Sequence, residues 1–83
     1  MFLRIVLPRF YFISADEELQ ALKITNDLTH KWKAVKLHFD EGNFLWASVE
    51  LFIDENTYLP PIIKRGLDLI ATTSFEFRVK MID

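Results

Sequence analysis

The side chains that could do chemistry are few and scattered. The histidines are His30 and His38, and neither sits in a His-x-x-x-His or His-x-x-Glu-His spacing that would set two ligands on one face for a metal. His38 reads instead as a strand-surface residue bonded to a neighbour or to water. Asp40-Glu41-Gly42-Asn43 gathers oxygens around a turn, but the spaced ligands and terminal glutamate of a calcium loop are missing. Ser14, Ser48 and Ser74 have no nucleophile-elbow context, and a Ser-His-acid set is defined by space, so the residues alone neither support nor remove one. Glu50, Asp54 and Glu55 are the acids that acid-base catalysis would draw on, yet strand-end and turn carboxylates are ordinarily solvated surface. Gly42 and Gly66 stand alone, with no Gly-rich loop to cradle phosphate. The expectation is a non-enzymatic chain with no catalytic, metal or cofactor residues.

One cluster points elsewhere. Lys31, Lys33 and Lys36 flank Trp32, a basic and aromatic grouping of the kind that holds single-stranded nucleic acid on a sheet. Against it, twelve acidic and ten basic side chains give a formal charge of −2, too even to draw phosphate backbones by net field. Nucleic-acid binding through Lys31, Lys33 and Lys36 is therefore the alternative reading, and a solvated sheet edge the plainer one.

These residues need elements to position them, and 83 residues make one domain, 1–83. A domain this small buries only roughly 60–65% of its unfolded surface, while its hydrophobic content of 51% is high for the length. More apolar surface is available than one small core can take, so a partner or a second copy is expected. The absence of cysteine removes disulfides and thiolate chemistry and is compatible with a reducing cytoplasm. Arg4, Pro8 and Arg9 break the apolar N-terminus, which reads as mature structure rather than a signal peptide, and the apolar runs fall short of the ~20 residues of a membrane span.

The first element is a strand from about Phe2 to Ile13, in which Pro8 requires either a sheet edge or a bulge. Ser14 and Glu17 form a capping box for a helix from Ala15 to about Thr29 or His30. Its apolar positions Leu19, Ala21, Leu22, Ile24 and Leu28 spread over a broad arc, which predicts packing on more than one side. KAVKLHFD and NFLWASVELFID then alternate as a β-hairpin around Glu41-Gly42-Asn43. Pairing Phe39 with Leu45, Leu37 with Ala47 and Val35 with Val49 gives the cleaner core face and needs a left-handed residue at Gly42 or Asn43. The opposite face then carries Trp32, Lys36, His38, Phe44, Trp46, Ser48, Glu50 and Phe52. A long helix follows from about Tyr58 to Met81, with Pro60 and Pro61 in its first turn. Ile63, Leu67, Ile70, Ser74, Phe77 and Met81 form the stripe expected against the sheet, and Gly66 permits close approach. Phe75, Val79 and Ile82 leave the C-terminal half apolar on its other side as well.

The run from LPRFYFISADEELQALKITNDLTHKWKAVKLHFDEGNFLWASVELFID to LPPIIKRGLDLIATTSFEF resembles the YbjN family of bacterial sensory transduction regulators. The likeness covers about Leu7 to Lys80. It rests on the aromatic strand before the capped helix, Asn26 late in that helix, the Lys36-to-Asp40 strand and the V-x-L-F strand at Val49 to Phe52. It implies a fold similar to type III secretion chaperones and a small, often dimeric, non-enzymatic regulatory or chaperone-like protein. Family members usually open on a further helix, whereas this sequence opens on a strand, so the resemblance implies either a trimmed start or a missing layer supplied by a partner. The combined expectation is an α+β domain, a three-stranded antiparallel sheet with two helices in the order β-α-β-β-α. It acts as a homodimer or holds another protein or peptide through Phe44, Trp46 and Phe52 on the sheet and Phe75, Val79 and Ile82 on the last helix.

Overall fold

The computed structural model describes residues 1–82. Strand β1 (Phe2–Phe12) leads through a single 3-10 turn (Ala15–Glu17) into helix α1 (Glu18–Lys31), then β2 (Val35–Phe39), β3 (Phe44–Phe52) and helix α2 (Leu59–Ile82). The sheet is antiparallel throughout, in the order β1-β3-β2, and the expected α+β architecture is the one observed.

The hairpin takes the register that alternation favours: Val35 pairs with Val49, Leu37 with Ala47 and Phe39 with Leu45. Asn43, not Gly42, supplies the left-handed residue, at φ 63°; its amide closes the turn on the Asp40 carbonyl at 3.1 Å. In β1 both answers to Pro8 hold together. The strand is an edge, and its pairing with β3 slips between Leu7 and Tyr11, so that Pro8, Arg9 and Phe10 stand opposite Trp46 alone. Arg9 turns the bulge at φ 43°, a conformation disfavoured for a side chain with a Cβ.

Both helices cover the sheet face that carries Val35, Leu45, Ala47 and Val49. One part of the core joins Ile13, Ala21, Ile24, Leu28, Leu45, Phe77 and Met81; the other joins Val35, Ala47, Val49 and Ile70. Phe10, Trp32 and Leu37 pack against both and make the two parts continuous. The polar residues inside the α2 stripe satisfy themselves locally: Thr73 Oγ1 donates to the Leu69 carbonyl and Ser74 Oγ to that of Ala71.

Several expectations need correction. The helix does not begin as an α-helix at Ala15: the capped residues form a 3-10 turn, with the Ser14 amide donating to the Glu17 carboxylate at 3.2 Å. Helix α1 packs on one face only, through Ala21, Ile24 and Leu28, and leaves Leu19 and Leu22 exposed because its outer side meets no other element. Ile63 and Leu67 do not lie in the core. Gly66 is the residue that meets the sheet, against Ile5, Val49 and Leu51, which turns Leu67 past the sheet margin, where it is 53% exposed. Trp32 does not join the wet sheet face; it caps α1 and folds against the core. Ser48, expected on that wet face, is buried because Val6 and Lys36 on the flanking strands close over the central strand.

An aromatic sheet face without a helix

The face of the sheet turned away from both helices has no role in the core. Alternation places even-numbered residues of each regular strand there. At one end Phe2 stands opposite Phe52, edge to face with ring centres 5.7 Å apart. Arg4 then pairs with Glu50, and Val6 and Lys36 flank Ser48. His38 stacks on Trp46 at 5.8 Å, and at the far end Phe12 meets Phe44 at 5.2 Å. Phe2 and Phe52 are 67% and 69% exposed, while Trp46 and Phe44 are half-buried.

Asp40 organises the hairpin end of this face. Its carboxylate accepts from the Trp46 indole Nε1 at 2.8 Å, from Arg9 Nε at 2.8 Å, and from the amides of Gly42 and Phe44 at 2.9 and 3.1 Å. The indole hydrogen bond, followed by the two turn amides and Arg9, lowers the Asp40 pKa to about 2. Arg9, held by that bond, lies 4.8 Å from the Phe44 ring centre. The bulge in β1 therefore brings a cation from the edge strand over the aromatic face and orients Trp46 through a shared carboxylate.

The six residues singled out from the sequence fall into two separate groups. Phe44, Trp46 and Phe52 share the open sheet face. Phe75, Val79 and Ile82 form a ridge on the side of α2 opposite its buried stripe, exposed by 67%, 41% and 85%. The sheet lies between the open face and that ridge, so the two groups do not make one surface. Sequence reasoning missed the β1 contribution, Phe2, Val6 and Phe12. The signal was present, since Phe2, Arg4 and Val6 alternate with Leu3, Ile5 and Leu7, but Pro8 hid the phase of the strand.

The proposed basic cluster is divided. Lys31 Nζ and Trp32 Nε1 both donate to the Glu76 carboxylate, at 3.0 and 3.1 Å, which ties them to α2, while Lys36 lies on the helix-free face opposite Ser48. The serines weighed for catalysis have other duties: Ser14 Oγ lies 2.6 Å from Asp16 and 2.8 Å from Glu17, Ser74 bonds to the α2 backbone, and Ser48 is buried. Among the described residues no group of three or more His, Asp or Glu is placed to hold a metal ion, and no helix is long and apolar enough to cross a membrane. A depression of about 560 Å³ is lined by α2 alone, between Pro61, Arg65, Asp68 and Thr72, with no second element closing over it, and a cleft of about 200 Å³ between Ile13, Glu18, Leu22, Phe39 and Asn43 is smaller than the ~300 Å³ at which ligand pockets begin.

No family model, curated protein or solved structure matches this chain.

Proposed function

We propose that this chain is a non-enzymatic protein-interaction module, regulatory or chaperone-like, that works as a cytoplasmic homodimer and holds a protein or peptide client on its aromatic sheet face. The observation that carries the reading is the helix-free face itself. Phe2, Phe12, Trp46 and Phe52 lie on one side of a sheet whose other side already has its core, and rigid aromatic anchors of this kind dominate the energetics of protein interfaces. Asp40 holds the Trp46 ring in place before any partner arrives, which lowers the ordering cost of binding. The resemblance to YbjN proteins contributes the regulatory, chaperone-like part. The ridge of Phe75, Val79 and Ile82 offers a second apolar contact on the opposite side.

The test is Trp46→Ala. A client bound to the open face is released at least ten-fold more readily, while circular dichroism and solubility stay those of the parent chain. Unfolding of the variant would make Trp46 a core residue and remove the face from consideration. Binding that tracks nucleic acid and falls steeply with salt would favour the alternative reading.

A further inference from the structure

Sheet edges are ordinarily blunted, because unpaired amides and carbonyls invite another strand. Here β2 is only five residues long and carries Lys36, and the second half of β1 is broken by Pro8 and the left-handed Arg9. The first half of β1, Phe2 to Leu7, carries one charge, Arg4, and no proline, bulge or left-handed residue. Its hydrogen-bond phase follows from one contact: the Ile53 amide donates to the Met1 carbonyl at 2.9 Å. Odd-numbered residues therefore turn their backbone groups towards β3, and Phe2, Arg4 and Val6 turn theirs outward.

We propose that this edge pairs antiparallel with the same edge of a second copy, joining two three-stranded sheets into one of six strands. The inference rests on the self-association proposed above and gives it a location that leaves the aromatic face free. Register singles out a symmetric arrangement. A two-fold axis at Arg4 would set two guanidinium groups directly opposite each other, which like charges disfavour. An axis at Ile5 pairs Arg4 with Val6 of the second copy through their outward backbone groups. It also sets Ile5 against Ile5, and Leu3 against Leu7, on the helix-covered side.

The helix layer fits the same axis. Arg78 Nη2 donates to the Phe10 carbonyl, so this flank of α2 lies over β1. Leu67 precedes Arg78 by three helical turns and shares its flank. Gly66 meets Ile5 beneath it, which places Leu67 and Ile63, 53% and 37% exposed, beside the proposed axis. A second copy brings its own Ile5, Ile63 and Leu67 to that position. About a dozen residues per copy, at roughly 30–40 Å² each, bury on the order of 800 Å² in total, below the roughly 1,200 Å² at which stable specific interfaces begin and in the range of weak, transient ones. The dimer is therefore expected to be reversible and concentration-dependent.

Sedimentation equilibrium of the full chain, from low micromolar to millimolar concentration, tests this with three variants. Val6→Pro removes one outward amide that has no partner within the chain, and Leu67→Glu places a charge on the exposed flank. Each is expected to weaken dimerisation at least ten-fold with the circular dichroism spectrum retained, and Leu67→Glu keeps the test open should Val6→Pro fail to fold. Phe75→Glu is expected to leave the dimer intact. A dimer lost in Phe75→Glu but kept in Val6→Pro and Leu67→Glu would move self-association to the α2 ridge and overturn this proposal alone. A parent chain that stays monomeric throughout would overturn the homodimer as well, leaving client binding to be judged by Trp46→Ala.

Discussion

Replacing Gly66 tests how closely α2 approaches the sheet. A β-carbon at this position would lie 2.5 Å from Ile5 Cδ1, 3.3 Å from Leu51 Cδ1 and 3.4 Å from Val49 Cγ1. In Gly66→Ala, removing glycine from a helix interior gains about 1 kcal/mol. The nearest obstacle is the tip of Ile5, a half-buried residue on an edge strand, and turning it aside costs roughly 0.5–1.5 kcal/mol. The alanine variant is therefore expected within about 1 kcal/mol of the parent, the difference of those two terms. Gly66→Val is different. Its extra methyl groups press on Val49, which is fully buried in the central strand and paired on both sides, and overpacking of this kind costs about 1–3 kcal/mol. A net loss near 2 kcal/mol corresponds to a Tm lower by roughly 8–16 °C in a domain of this size. Urea and thermal unfolding followed by circular dichroism, at concentrations low enough to keep the chain monomeric, give the order Gly ≈ Ala > Val. Shortening Ile5 to valine removes the clashing atom and is expected to make Gly66→Ala stabilising, a coupling that contact between the two sites requires. A valine variant as stable as the parent would refute the close approach and, with it, the rotation that exposes Leu67.

Other expectations concern the supports of the aromatic face and the core. Asn43→Ala should destabilise the hairpin by roughly 1–2 kcal/mol because Asn43 is left-handed, whereas Asn43→Gly should be close to neutral; equal loss in both would mean the turn is set by something else. The Asp40 pKa, held at about 2, lies below the ~3.9 of an unfolded aspartate. Ionised Asp40 therefore stabilises the fold above about pH 4, and that contribution fades as pH falls towards 2. Urea midpoints between pH 5 and pH 2 should fall more steeply for the parent than for Asp40→Asn, and parallel slopes would contradict the assigned hydrogen bonds. Glu76→Ala leaves the half-buried Trp32 indole without its acceptor and should cost about 1–3 kcal/mol, measured by denaturant unfolding; an unchanged midpoint would detach Trp32 from α2.

The hairpin was the most legible part of the fold because its register depends on short-range alternation. Val35, Leu37 and Phe39 can bury together only against Leu45, Ala47 and Val49, and a slip by one residue reverses every face. The long helix was legible in its C-terminal half, where Ile70, Ser74, Phe77 and Met81 meet core on the expected side. Periodicity identifies a helix face, however, and not how far a sheet extends beneath it, so Ile63 and Leu67 were misplaced. Trp32 was beyond reach for another reason: its acceptor, Glu76, lies 44 residues away, and no local pattern links them. The open face was half legible. Phe44, Trp46 and Phe52 follow from β3 alone, while Phe2, Val6 and Phe12 depend on the phase of an edge strand that Pro8 and Arg9 interrupt.

The central claim is that the aromatic sheet face is a protein-binding surface. A photo-crosslinking amino acid at Phe52, exposed and at the margin of that face, tests it in cells, with Trp46→Ala as the control and the adduct mapped by mass spectrometry. The expected result is a defined protein adduct that saturates and is lost in Trp46→Ala while the chain remains folded. Adducts that are absent, consist of nucleic acid, or persist unchanged in Trp46→Ala would contradict the claim.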